Sequence, residues 1–444
     1  MTLPRIRTDI VSWPGLDPEF HDHVSAAAVT PSGAAFLASL ADELLGVRGK
    51  GCELGPPLMV RRSHGSVLRT FATAYHRTVE TVVRAYRTDR DVQTLLAVPH
   101  ELSSETIMDS DTTGERIHLC RLDIMLRPDG GFKVLETNAN CPGALLSMGI
   151  ASRAWREFLR PFYVDLPDPL DHEWVNWMAN WFIQTAILET GMEPRFVPLL
   201  RQESGNRLEM PGLAGQLTNE SVEAVEVDPR RARYQSGRML VGRRPARHAY
   251  LKLGIPEFRE MGWELHALID AITSGNLFVP NGVLGRLVGD NKLCLAVISD
   301  PAFGHLFDPA DLDAVRTHIP WSRAMSHCDS VLLREIRRSR AQFVLKRPLD
   351  TKGRGVVIGR EVATHADWDR AISIAMRENW LVQEFCSTTR VESDYTGAVV
   401  DRHDLSLGVT NGELAGVIAR SSSELRLNVA RSGRLHPVYL DGGP

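Results

Sequence analysis

Hydrophobic and polar residues alternate in two neighbouring runs, Arg121-Leu122-Asp123-Ile124-Met125-Leu126 and Lys133-Val134-Leu135-Glu136-Thr137-Asn138. Asp129-Gly130-Gly131 between them is a turn signal, so the pair predicts a β-hairpin. Side chains alternate along a strand, which puts Arg121 and Asp123 on one face and Glu136 and Asn138 together on one face of the partner strand. Leu122, Ile124 and Leu126, with Val134 and Leu135 from the second run, supply the apolar side. Elsewhere the period is helical. Phe36, Leu37, Leu40, Leu44 and Leu45 form one stripe, and Leu68, Phe71, Tyr75, Val79, Val82 and Val83 form another over about 66–86. Residues 1–32, with four prolines and little periodicity, predict an irregular arm.

After the hairpin, Asn140-Cys141-Pro142-Gly143-Ala144 leads into a predicted helix at about 145–158, and a Trp-rich helix covers 172–191. Apolar runs at 195–200 and 222–227, a hairpin at 234–241 around Ser236-Gly237 and a short run at 250–253 suggest a small α/β layer. From Asn276 the pattern predicts a helix opened by Asp290 and carrying Lys292, then a strand ending at Lys346. Asp350-Thr351-Lys352-Gly353-Arg354-Gly355 turns that strand into the next, Val356–Gly359. Glycines there let backbone N–H groups approach phosphate oxygens without Cβ clearance. A helix at about 366–376 precedes Trp380-Leu381-Val382-Gln383-Glu384-Phe385, a strand able to offer its backbone edge to a base such as adenine. Two further strands flank the turn Asn411-Gly412, and Arg420 ends the second.

The hairpin face gathers two carboxylates, an amide oxygen and a guanidinium. Hard oxygen donors of this kind suit Mg²⁺ bound together with substrate phosphates, and an arginine beside them can neutralise a transferring phosphoryl group. An exposed polar hairpin is the plainer alternative. Arg230–Arg247, rich in arginine, reads as an anion-binding surface or, more simply, a solvated basic face. Cys141 has no histidine nearby to activate it, so a small buried thiol is the plainer reading than a nucleophile.

Composition narrows the class. The 444 residues exceed one ordinary core, and 43% hydrophobic with 24% charged residues is the balance of a soluble globular chain. A net charge of −4, from 51 basic and 55 acidic residues, asks for neither nucleic acid nor an anionic membrane as partner. The 6 cysteines are scattered singly, without a C-x-x-C. With no apolar signal segment or membrane-length run, that pattern predicts a cytoplasmic protein.

In order along the chain, these motifs resemble the ATP-grasp superfamily, in particular its circularly permuted branch that includes glutathionylspermidine synthases. The R-x-D and E-x-N strands, the Asn291-Lys292 pair, the strand lysine with its glycine turn, and the late Gly412–Arg420 hairpin carry the likeness over about 116–440. It implies an α+β protein: a mainly helical region at 1–115, a metal-binding hairpin at 116–165, a small α/β pre-ATP-grasp-like domain at 166–275, and nucleotide-binding subdomains at 276–444. It implies Asp123, Glu136 and Asn138 as ligands of two Mg²⁺ ions, and Arg121 and Arg420 as catalytic arginines. It further implies that Lys292, Lys346, Thr351, Lys352, Gly353, Gly355, Val382, Gln383 and Glu384 hold ATP. The implied reaction is carboxylate–amine ligation: a carboxylate takes the γ-phosphoryl group of ATP, and an amine displaces phosphate from the acylphosphate. A kinase that releases the phosphorylated product and a non-catalytic nucleotide-binding module are the alternatives. The identities of acid and amine do not follow, and oligomeric state, a homodimer included, stays open.

Overall fold

The computed structural model describes residues 13–45, 53–96, 115–140, 142–162, 166–202, 209–351, 353–393, 399–425 and 433–441. Helices α1 (Pro18–Ala28) and α2 (Pro31–Leu45) precede two short strands, β1 (Glu53–Leu54) and β2 (Leu58–Val60). The long helix α3 (Arg62–Thr88) and α4 (Arg90–Leu95) follow, then the hairpin β3 (Leu119–Leu126) and β4 (Phe132–Asn138). Next come α5 (Leu145–Leu159), α6 (Trp177–Thr190), β5 (Phe196–Arg201), α7 (Glu209–Asn219) and β6 (Glu223–Val227). A meander of β7 (Ala232–Gln235), β8 (Arg238–Val241) and β9 (Arg244–Ala246) leads to β10 (Tyr250–Lys252). Helices α8 (Ile255–Met261), α9 (His266–Thr273), α10 (Leu284–Gly289), α11 (Cys294–Ser299) and α12 (Pro309–Arg316) precede β11 (Ser322–Ala324) and α13 (Ser330–Arg338). The chain closes with β12 (Phe343–Lys346), β13 (Val356–Ile358), α14 (His365–Arg377), β14 (Leu381–Glu384), β15 (Arg390–Ser393), β16 (Val399–Thr410), β17 (Glu413–Ser422) and β18 (Arg434–Leu440).

The large sheet runs β1-β18-β17-β16-β3-β4, with β15 on β16 and β2 on β18. The early hairpin therefore joins strands from the end of the chain, and the two arginine-bearing segments, near 121 and 420, become parts of one sheet. Helix α3 covers one face because Leu68, Phe71, Tyr75, Val79 and Val82 fall on one side of it and meet Leu122, Ile124, Leu405, Leu407 and Val417. On the other face α5 places Met148, Ala151 and Trp155 against Ile418 and Leu435. At its start this helix sits so close that a Cβ on Gly408 would lie 2.4 Å from a Leu145 methyl. A four-stranded antiparallel sheet, β11-β14-β12-β13, stands across a cleft from β4. A parallel sheet β10-β5-β6, backed by α6 and α7, and the meander form the small α/β lobe.

Three local expectations change. The N-terminal arm contains a helix: Asp17 accepts the amides of Glu19 and Phe20, and Pro18 occupies the first helical position, where a missing N–H costs nothing. The Trp-rich helix starts at Trp177, after Asn176 in a left-handed turn (φ 60°), and leaves Trp174 outside it. Asp290 opens no helix, because its carboxylate is spent on the amides of Ala139 and Asn140. Asn291 accepts the Leu293 amide instead, and α11 begins at Cys294.

Candidate functional site

Strict alternation cannot put both Val134 in the core and Glu136 outside it, since they differ by two positions. The structure resolves this with a β-bulge. Pairing runs Arg121↔Asn138 and Asp123↔Glu136, then jumps to Ile124↔Val134, leaving Leu135 unpaired in the ladder. Phe132, Val134 and Thr137 face the core, whereas Leu135 is half-buried rather than a core anchor. Arg121, Asp123, Glu136 and Asn138 thereby share one face.

Strand β16 adds to that face in register: Ser406 lies opposite Asp123, and Asp404 lies opposite Arg420 of β17. Asp123, 1% exposed, accepts from Arg121 Nε (2.8 Å) and Nη2 (3.0 Å), from the Ser406 hydroxyl (2.8 Å) and from Asn138 Nδ2 (3.2 Å). Arg420 Nη2 stands 3.1 Å from the same carboxylate, and Arg420 Nε donates to Asp404 at 3.0 Å. Burial alone would raise the Asp123 pKa, but Arg121 and Arg420 outweigh it and hold the carboxyl well below the usual range. Asp404, equally buried, goes the other way: burial dominates, Arg420 offsets it in part, and its pKa is raised.

From the opposite sheet, Lys346 at the end of β12 reaches across the cleft and donates to the carbonyl of the bulged Leu135 (2.9 Å). Burial pushes its pKa down to about 8. Lys292 donates to the Asp350 carbonyl (2.6 Å) and lies 3.5 Å from Glu136. Asp290 is pushed up to about 6, chiefly by burial, with the Lys292 charge offsetting part of it. The glycine turn between β12 and β13 is tight: Gly353 and Gly355 have φ of 70° and 63°, and a Cβ on Gly355 would lie 2.5 Å from the Asp350 carboxylate. Thr351 accepts the Arg354 amide through its carbonyl (3.1 Å). Lys352 lies outside the described residues, as does Cys141.

The β14 expectation needs correction. This strand is internal, paired with β11 on one side and β12 on the other, so it has no free backbone edge. Val382 is fully buried, and Gln383 turns into the sheet layer to donate to the Ser322 hydroxyl (3.1 Å). Only the strand's end reaches open space. There Glu384, Phe385 and Cys386, with Arg127 and Lys133 from the hairpin, line a cleft of about 400 Å³.

Sequence reading missed Asp404, Ser406 and the role of Asp290. A signal existed for the first two: Asp404-Leu405-Ser406-Leu407 repeats the polar–apolar alternation of Arg121-Leu122-Asp123-Ile124. The arginine-rich stretch lies elsewhere, on the meander of the small lobe. Arg230 pairs with Asp228 and Arg244 with Glu223, while Arg233, Arg238 and Arg243 are exposed. Among the described residues, no group of three or more His, Cys, Asp or Glu side chains is arranged to hold a metal ion without other donors, and no helix is long and apolar enough to cross a membrane.

Comparison of the sequence with family models and with curated proteins gave no match. Comparison of the fold with solved structures gave a match to a glutathione synthetase-like effector from Globodera pallida in its apo form. The TM-score is 0.61 at 13% identity, over 96% of this chain and 98% of that one. The fold is thus α+β and shares its overall architecture with that glutathione synthetase-like protein. At that identity the likeness speaks for architecture alone.

Proposed function

We propose that this protein is an ATP-dependent carboxylate–amine ligase of the circularly permuted, glutathionylspermidine synthase-like branch. One observation carries the reading: Arg121, Asp123, Glu136, Asn138 and Arg420 share one sheet face in register, and Lys292 and Lys346 meet it from across the cleft. Four cationic side chains there face the carboxylates of Asp123, Glu136 and Asp404. Such a balance favours a polyanion over a bare divalent cation, so Mg²⁺ would enter as a chelate of the nucleotide phosphates. Glu136, about a third exposed and not bound to a guanidinium, and the Asn138 amide oxygen are open donors of the right hardness. Asp123 completes the set by giving up part of its hold on the arginines. The metal's contribution is charge neutralisation on the phosphates.

The chain's own residues do the rest. Lys292 and Lys346 place point charges on the phosphates, and the turn at Thr351, Gly353 and Gly355 covers them with backbone N–H groups. The base lies in the cleft at the end of the Val382–Glu384 strand, meeting Glu384 and Lys133 rather than a free strand edge. Arg121 and Arg420 neutralise the phosphoryl group in transfer and then the oxyanion formed as the amine attacks. The substrates are a small carboxylic acid of amino-acid or peptide kind and an amine, neither nucleic acid nor membrane is a partner, and the site of action is the cytoplasm. The region 1–115 and the lobe at 166–275 flank the catalytic hairpin 116–165 and the nucleotide-binding part 276–444.

Phosphate release from Mg²⁺-ATP, across amino acids and short peptides offered singly and in pairs, tests this. Release that requires two components, yields ADP and a condensed mass, and disappears in Asp123→Asn supports the ligase. Release with one component and a stable phosphorylated product makes the protein a kinase. ATP binding without turnover for any pair leaves a nucleotide-binding module.

A further inference from the structure

Arg121 is aimed by more than Asp123. Its third guanidinium nitrogen, Nη1, donates to the carbonyl of Gly143 at 2.9 Å, in the segment joining the hairpin to α5. Asp290 and Asn281 hold the start of that segment at Ala139 and Asn140, but not its end at Pro142–Ala144. Ala144, its last residue, is a non-glycine in the left-handed region (φ 76°), and α5 starts without a side-chain cap. The residues on either side of Gly143 are instead gripped by the small lobe. Glu209, the first residue of α7, accepts the Ala144 amide, and Lys252, the last residue of β10, donates to the Pro142 carbonyl at 3.2 Å. Glu209 and Lys252 also bond each other at 2.7 Å, and both are largely buried. A buried ion pair is costly to desolvate and gains back little unless its remaining bonding capacity is used. Here part of that capacity is used on two backbone groups two residues apart in sequence, flanking the carbonyl that orients Arg121.

We propose that Glu209 and Lys252 are positioning residues for Arg121, and that through them the small α/β lobe sets the aim of the phosphoryl-binding guanidinium. The lobe is joined to the site by a chain of direct contacts: Lys252 and Glu209, then Pro142–Ala144, then Arg121, then Asp123 and Arg420. A substrate that shifts this lobe would move Arg121 with it, so this inference rests on the ligase reading for its catalytic consequence. Its structural claim is independent of that reading.

The two are separated by two measurements on the full chain. The first is a double-mutant cycle in urea unfolding between Arg121→Met and Lys252→Met, whose side chains share no bond among those described. Coupling through the segment makes the two changes non-additive, by at least about threefold in the unfolding constant. Additive effects overturn the proposal whether or not the protein turns over ATP. Lys252→Arg, which keeps the charge and its donors, restores the coupling. Glu209→Gln with Lys252→Met, which removes both charges together, guards against a variant that merely leaves one charge buried and fails to fold. The second measurement is turnover. Lys252→Met lowers kcat at least tenfold with the KM for ATP unchanged, and Lys252→Arg recovers most of the loss. Equal changes in kcat and in the KM for ATP, or no change in either, would also sink it. Coupling in the unfolding cycle with no turnover in the unsubstituted protein would remove the ligase reading and leave the positioning intact.

Discussion

Arginine appears in two contrasting settings in this molecule. On the large sheet Arg121 and Arg420 are mostly buried, Arg121 bonded to the buried Asp123 two residues along its own strand and Arg420 to the buried Asp404 that strand pairing puts beside it. On the meander Arg233, Arg238 and Arg243 stand exposed, in a stretch far richer in arginine. Density along the sequence points to the meander, and the structure points to the sheet. Fixed guanidinium groups in a water-poor setting act strongly on a nearby anion, whereas solvated ones are screened and lose side-chain entropy when they engage. Geometry and burial, not number, mark the site.

Several substitutions sharpen or break that contrast. Asp123→Asn should have the largest effect, since it leaves two buried guanidinium groups short of their partner. Stability falls by about 3–5 kcal/mol in urea unfolding, and any ATP turnover falls by roughly two to three orders of magnitude. The Asp123 carboxyl is held below its usual range, so its contribution is present above the ordinary carboxylate pKa and lost as pH falls through the depressed folded value. The variant should lack that acid limb.

Asp290 tests the buried side of the comparison through pH. Its pKa is raised to about 6, so its contribution is fully present below the ordinary carboxylate pKa and lost as pH rises through about 6. Across that window the unsubstituted protein should lose up to about 3 kcal/mol relative to Asp290→Asn, as read from urea midpoints. Asp404→Asn comes next, at about 1–3 kcal/mol, because Arg420 keeps Asp123. Its turnover should fall less than that of Asp123→Asn, and an equal fall would make the two aspartates equivalent.

Lys346 sharpens the contrast from the nucleotide side. With a pKa near 8 it loses its charge as pH rises past that value, so affinity for ATP, measured by calorimetry, should weaken through pH 8 and stay flat in Lys346→Met. The smallest effects belong to the meander. Arg233→Ala and Arg238→Ala should change stability by no more than about 0.5 kcal/mol and leave ATP affinity untouched. A large loss of ATP affinity there would overturn the division between the two arginine settings.

Local pattern determined a good deal by itself. Period-2 alternation and Asp129-Gly130 gave the hairpin, the helical stripe gave α3, and Asn411-Gly412 gave the turn between β16 and β17. These signals are legible because turn chemistry and side-chain periodicity act over a few residues. What tertiary structure decided depends on pairing between distant segments. The bulge at Leu135 turns Glu136 away from the core, and no local signal announces it. The partnership of Asp123 with Arg420, and of Arg420 with Asp404, exists only because the early hairpin joins a sheet made of the last strands. Internal placement of β14, the use of Asp290 on the amides after Asn138, and the grip of Glu209 and Lys252 on Pro142–Ala144 are decided in the same way. A sequence states which faces a segment can present. Only the folded sheet, by bringing segments as far apart as Glu53 and Arg434 into register, states what those faces meet.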